Sequence, residues 1–411
     1  MKRTTLLLLA CIAVWTISCD DDNQDDKYAD YLVARPLTMT LEEFENSVDI
    51  IGPLPIDESG KIYAYKDYVF VNDKYKGVHV IDNSTPASPQ KIAFIKIAGN
   101  VDISVKDDYL YADSLTDLMV FDISDIDNIQ IVNRMRDVLR DNVVWPAADI
   151  FEYDGLDYQN EILVGWEVVT ERRLIEEVQP GLFFDDLAVA EASNDGTGQG
   201  GSLARFKIVD DYLYAVDSHN INVFEISDLE NPKDLEDVFA GFDIETIFNR
   251  GQHLFIGSMQ GMYIYDITSP ATPTFVSEFR HGTACDPVVV DGDYAYVTLR
   301  GGNLCGAEES GLFIVDISEI TTPTLKSSYP MDEPYGLGIK DEKLFICDGS
   351  SGLKVYDKTD VEDLKSLNHF KDIITFDVIP MEDNLLMVGD EILYQYEYLA
   401  DEIRLISTLE L

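Results

Sequence analysis

Asp211-Tyr-Leu-Tyr-Ala-Val-Asp217, followed after three residues by Ile221-Asn-Val-Phe-Glu-Ile-Ser227, decides how this chain folds. Two short apolar and aromatic runs bounded by small polar residues have the length and composition of adjacent β-strands joined by a tight turn. The pattern recurs. The residue opening the strand after the small polar turn falls at Tyr68, Tyr109, Tyr212, His253, Tyr294, Lys343 and Asn384, at spacings of 41, 103, 41, 41, 49 and 41. A period of 41 with one insertion of about 62 residues and one of 8 means one supersecondary unit used seven times.

Each unit reads as four short strands, most cleanly in the first. Lys61–Tyr65 is strand A, Tyr68–Val71 strand B, Gly77–Ile81 strand C and Gln90–Ile97 strand D, with turns at Lys66-Asp67 and Asn72-Asp73. The inner strands are nearly continuous apolar runs, as strands buried between neighbouring sheets require. Seven such units describe an all-β fold, a seven-bladed β-propeller of four-stranded blades, which resolves the exposed-edge problem by radial closure. Arg404–Leu411 reads as strand D of the last blade, so each blade comes from consecutive sequence. The ring then closes by side-chain packing between first and last blades or with help from Val48 to Ile56. Two strands in the long insertion, Ala148–Tyr153 and Glu161–Val168, leave an eighth, degenerate unit open.

After strand C nearly every unit carries an acid and a hydroxyl or proline: Asp82-Asn-Ser-Thr-Pro86, Asp122-Ile-Ser124, Glu225-Ile-Ser227, Asp266-Ile-Thr-Ser-Pro270, Asp316-Ile-Ser318 and Asp357-Lys-Thr359. Recurrence once per unit marks these as C-to-D turn chemistry, not catalytic carboxylates. The blocks Gly77-Val-His-Val-Ile-Asp82, Leu118-Met-Val-Phe-Asp-Ile-Ser124, Met262-Tyr-Ile-Tyr-Asp-Ile-Thr268 and Leu312-Phe-Ile-Val-Asp-Ile-Ser318 resemble the LVIVD repeat of bacterial surface β-propellers. The resemblance covers about Gly60 to Leu411 and weakens in the last blade, where Ile392-Leu-Tyr-Gln-Tyr-Glu397 lacks the aspartate. It implies a propeller on an exported lipoprotein and no established reaction, so it supplies no catalytic positions.

The N-terminus agrees with export. Lys2 and Arg3, an apolar run from Leu6 to Ile17 and Ser18-Cys19 form a secretion signal too short for an anchored membrane helix. The start also resembles a bacterial lipoprotein signal, with Cys19 as the lipid-bearing residue. The acidic run Asp20 to Asp26 resembles the tether of surface lipoproteins in Bacteroidetes-type bacteria. The expected organisation is residues 1–18 signal peptide, 19–59 acidic tether and short helix, and 60–411 propeller with an insertion at about 139–202. From Asn23 to about Ala34 the polar chain reads as flexible. A helix is expected at Thr40–Asn46, where Thr40 and Glu43 form a capping box and Met39 and Phe44 a hydrophobic staple. With 77 acidic against 30 basic residues and a net charge of −47, the surface repels nucleic acid and anionic lipid head groups. Contact with a membrane is therefore expected through the lipid anchor only.

The insertion leaves the ring between strand D of the second blade and strand A of the third, on the face carrying D-to-A and B-to-C loops. Its Trp145, Trp166, Phe183 and Phe184 either present a binding surface or pack the excursion onto the ring. Gly196-Thr-Gly-Gln-Gly-Gly201 spells a dinucleotide fingerprint, but a strand follows it where that motif needs a helix N-terminus, so it reads as a flexible loop. Cys285 and Cys305 lie on adjacent loops of one blade, and an oxidising compartment makes them a disulfide pair. Zinc with His281 and Asp286 is the alternative, without the closely spaced Cys or His pair that such sites use. Cys347 reads as a buried free thiol.

Seven residues before each strand B opening stand Lys61, Asp102, Arg205, Thr246, Pro287, Gly336 and Asp377, with Glu245 and Asp286 one residue earlier. They start the innermost strands, so Lys61, Asp102, Arg205, Glu245, Asp286 and Asp377 form a candidate ligand-binding ring at the channel mouth. The competing reading is that these groups pair with each other. HExxH, Gly-x-Ser-x-Gly and EF-hand patterns are absent from the sequence. The sequence points to an outer-membrane or cell-surface lipoprotein that binds or scaffolds a protein or glycan partner in the cell envelope, without cofactor or metal. A propeller hydrolase or lyase acting on a carbohydrate or lactone is the alternative, and a purely structural subunit is a third.

Overall fold

The computed structural model describes residues 28–411 apart from 141, 143–144, 147, 154–156, 158, 176–198, 281–286 and 301–309. Among the described residues the repeat becomes seven antiparallel sheets of four or more strands, and neighbouring strands within a repeat are hydrogen-bonded in sequence order. The innermost strands are Ser59–Tyr65, Ile103–Lys106, Phe206–Val209, Ile244–Arg250, Val288–Asp291, Leu337–Lys340 and Thr375–Pro380. Each touches the next and the last touches the first, so the sheets stand radially around a central channel.

Local chemistry explains the regularity. The A-to-B turns need left-handed backbone, adopted by Lys66 (φ 51°), Asp108 (φ 67°), Asp210 (φ 51°) and Asp341 (φ 51°). Strand C opens on glycine in several sheets because the outer strand runs too close for a side chain. At Gly261 (φ +151°) a Cβ would lie 2.3 Å from the Phe279 carbonyl oxygen. In the C-to-D turns the amides of Ser84, Ser124, Thr268, Ser318 and Thr359 donate to Asp82, Asp122, Asp266, Asp316 and Asp357 at 2.8–3.0 Å. The recurring acids are turn residues, as their spacing indicates.

The core lies between sheets. Phe70 and Val80 of the first sheet meet Leu110 and Phe121 of the second, and Tyr214 and Val223 of the third meet Leu254 and Ile256 of the fourth. Each fully buried side chain of this kind contributes roughly 1.5–3 kcal/mol. Ring closure uses the same device: Ile62, Val69 and Val71 pack against Ile379, Leu386, Val388 and Leu411. Ser407 Oγ donates to the Pro86 carbonyl at 2.6 Å and Gln395 Nε2 to Asn83 Oδ1 at 2.6 Å. Side-chain packing, joined by Ile56, therefore holds the seam between first and last sheets. Asp49–Ile51 instead pairs with Gln90–Lys96 on the outside of the first sheet.

From Tyr28 on, the N-terminal segment corrects the expected flexible tether, whose residues 23–27 lie outside the described residues. Tyr28–Thr40 is a strand, paired antiparallel with Glu161–Leu174 of the insertion from Tyr28↔Leu174 to Thr40↔Glu161, and parallel with Ile150–Phe151. The sequence hid it because its partner lies far downstream, at Glu161 for Thr40 and Leu174 for Tyr28. The two insertion strands thus form a separate three-stranded sheet, not a further sheet of the ring. A short helix, Leu41–Glu45, follows with the capping box of Thr40 and Glu43 in place. Phe44, Met39 and Val164 pack with Ala98 and Leu115 of the first two sheets' loops.

Candidate functional site

Two places warrant attention: the channel centre and the face that carries the D-to-A and B-to-C loops. At the centre, the segment returning from the insertion lies inside the ring. Gln199–Gly200 pairs antiparallel with Ala64 and Tyr63 on the inner edge of the first sheet. The Gly201 N–H donates to the Ile62 carbonyl at 3.1 Å, and Ser202 Oγ accepts from the Leu337 N–H at 2.6 Å. This corrects the flexible-loop reading for the described part of the glycine-rich stretch. Its glycines allow close approach to the channel wall: a Cβ on Gly201 would collide with the Asp377 carboxylate.

The candidate ring is brought together in part, and it is buried. Asp102 and Arg205 are each 3% exposed, Glu245 4% and Asp377 0%. Lys61 Nζ stands 3.7 Å from Asp102 Oδ2. The same oxygen accepts from the backbone N–H of Phe206 at 3.0 Å and from that of Arg205. Arg205 Nε donates to the Val216 carbonyl at 3.2 Å. Asp377 Oδ1 accepts from the Val378 N–H at 2.7 Å, while Oδ2 is buried without a hydrogen-bond partner. Burial pushes the Asp377 carboxyl well above the usual carboxylate range, against the opposing pull of the Val378 amide and Lys61. Asp102, paired with Lys61, therefore seats the end of the returning segment through the Arg205 and Phe206 amides. Their accessibility falls short of what an open ligand ring needs. Asp286 lies outside the described residues, as do Cys285, Cys305 and Cys19. Cys347 is free and fully buried, and burial pushes its thiol up. Among the described residues no group of three or more His, Cys, Asp or Glu is arranged to hold a metal ion.

A second set of aspartates, which the spacing argument overlooked, ends strand B and fixes the loops of the face. Asp73 accepts from the amides of Asp57 and Glu58, Asp113 from Val101 and Asp102, and Asp348 from Asp332 and Glu333. Each is almost fully buried. Their signal was present as an acid at the end of strand B: Asp73 and Asp348 stand five residues after the residue that opens it, and Asp113 four.

Above these loops sits the three-stranded sheet. Trp166 is 2% exposed and packs with Tyr75, Val101 and Ala148, with Trp145 and Phe151 beside it. Gly165 lies against the Tyr75 ring. Trp145 and Trp166 therefore pack the excursion onto the ring, while Phe183 and Phe184 fall outside the described residues. Farther round the same face, Phe239 and Phe242 are 61% and 56% exposed. Their rings meet edge to face with centroids 5.6 Å apart, and His219 stands 5.5 Å from Phe242. The loop holding them is fixed, because the Ala240 and Gly241 amides donate to the His219 carbonyl and the Ile244 amide to that of Ser218. Rigid, adjacent and exposed aromatic rings are a common mark of an interaction surface.

Radial four-stranded antiparallel sheets around a channel define this protein as a β-propeller. It carries LVIVD repeats: the LVIVD repeat model matches residues 58–93, 98–135 and 281–330. Among solved structures, Sqt1 of Saccharomyces cerevisiae is similar with a TM-score of 0.51 at 8% identity, over 87% of this chain and 86% of that one. Hsv2 of Kluyveromyces lactis is similar with a TM-score of 0.49 at 12% identity, over 86% and 99% of the chains. The computationally designed Ika8 protein gives 0.47 at 11% identity, over 88% and 90%. At such identities the likeness concerns the fold. A comparison with curated proteins finds no match.

Proposed function

We propose that this propeller is a binding platform of the bacterial cell envelope, lipid-anchored at Cys19, which offers its D-to-A and B-to-C face to a protein or glycan partner. The observation that carries the reading is the Phe239–Phe242 pair, more than half exposed on a backbone-fixed loop. Covering apolar surface yields about 25 cal/mol per Å², so two such rings are a strong local anchor. The channel centre supports the same reading from the other side, since its polar groups hold the chain's own Gln199–Arg205 segment. An exported chain also carries a Cys285–Cys305 disulfide in this account, and thiol labelling of the unfolded, unreduced protein would find both free if it does not.

The test compares the full-length protein with a Phe239→Ala, Phe242→Ala double variant in cross-linked capture from the native envelope. Asp377→Asn serves as the control at the channel. Loss of one reproducible partner with the double variant and its retention with the control supports the platform. Loss with Asp377→Asn alone moves the site to the channel.

A further inference from the structure

On the opposite face, where A-to-B and C-to-D turns lie, a cleft of about 360 Å³ opens between the fifth and sixth sheets. It adjoins one of a series of repeated ties between sheets. At five sheet boundaries a side chain of one sheet donates to the carbonyl four residues after the turn acid of the next. Tyr111 OH reaches Leu229 at 2.9 Å and Tyr214 OH reaches Pro270 at 2.8 Å. Elsewhere an outer-strand serine does so: Ser277 to Ile320, Ser327 to Val361 and Ser407 to Pro86.

Tyr296 holds the same strand position as Tyr111 and Tyr214. The carbonyl it would reach, that of Val361, is already taken by Ser327 Oγ at 2.6 Å and Tyr329 OH at 2.8 Å. Tyr296 is 1% exposed and lines the cleft, and its hydroxyl has no hydrogen-bond partner among the described residues. At the cleft wall that hydroxyl is reachable from solvent and free to bond a ligand.

The lining says what kind. Asp291, Asp293, Glu342, Asp360 and Glu362 stand against two lysines, Lys326 and Lys358. Both lysines are already engaged, Lys358 with Asp291 at 2.6 Å and Lys326 with Glu362 at 3.3 Å. The remaining acidic field repels anions and favours a positive group. A phenol oxygen accepts an N–H bond, and the half-buried Tyr294 ring offers a π-face to a cation. We propose that this cleft binds an organic cation, an ammonium or guanidinium group, with the Tyr296 hydroxyl as acceptor and Asp293 and Glu342 as counter-charges. The site is independent of the platform face.

The test is titration calorimetry of the full chain with agmatine. Saturable binding is expected, weakened about fivefold by Tyr296→Phe and also weakened by Glu342→Gln. Tyr214→Phe, which removes a hydroxyl already bonded to Pro270, should leave it unchanged. Stronger binding of a capped Ala-Arg-Ala peptide than of agmatine assigns the cation to a partner's side chain, and the reverse order assigns it to a free amine. Absence of saturation below about 10 mM, equal affinity in Tyr296→Phe, or Tyr296-dependent binding of glucose in place of agmatine overturns the proposal.

Discussion

Gly201 faces Asp377 so closely that a Cβ on the glycine would lie 1.9 Å from Asp377 Oδ2. One residue comes from the end of the insertion and the other from the last sheet, so this contact ties the excursion to the ring. Gly201→Ala should destabilise by roughly 1–3 kcal/mol through overpacking. Asp377→Ala makes room, so the double variant should lose less than the sum of the two. Urea unfolding measures both, and strict additivity would show that the two residues do not meet.

Burial raises the Asp377 carboxyl well above the value it has in the unfolded chain. Its folded value is raised, so its contribution is complete below the ordinary carboxylate range and is lost as pH rises toward the folded value. Asp377→Asn should therefore gain stability relative to the native sequence between about pH 5 and about pH 8. Thermal unfolding at the two pH values decides it. A constant difference between the proteins would contradict the assignment.

The turn aspartates act with the opposite sign. Hydroxyl and amide donors hold Asp82, Asp122, Asp266, Asp316 and Asp357 below the ordinary carboxylate value. Their contribution is present above that value and is lost as pH falls through the lowered one. A combined Asp316→Asn, Asp357→Asn variant should show less acid sensitivity than the native chain, with lower stability near neutrality. Acid titration followed by circular dichroism measures the shift, and parallel acid profiles would argue against it.

These turns also show what the sequence reveals and what it withholds. Periodic features were readable: the 41-residue step, the Asp-x-Ser turns and the inner apolar strands follow from local chemistry repeated many times. Features made once were not. The Tyr28–Thr40 strand depends on a partner far along the chain. Gln199–Arg205 enters the channel because two glycines permit close approach, which a glycine-rich stretch alone does not reveal. Lys61, Asp102, Arg205, Glu245 and Asp377 lie in or beside the inner strands. Their burial depended on that unseen segment.

Closure of the ring by side-chain contacts between its first and last sheets predicts an asymmetry between positions on the last sheet and elsewhere. Leu386 is 1% exposed at the seam with the first sheet, whereas Leu325 is 51% exposed on an outer strand. Leu386→Ala should cost about 2–5 kcal/mol and Leu325→Ala within about 0.5 kcal/mol of nothing. Equal effects in denaturant unfolding would mean that the seam contributes little.

The most direct test of the central claim is cross-linked capture from the native envelope with Phe239 and Phe242 intact or both replaced by alanine. The platform account predicts one reproducible partner that disappears with the two rings and persists in Asp377→Asn. A partner unaffected by loss of both rings would contradict it.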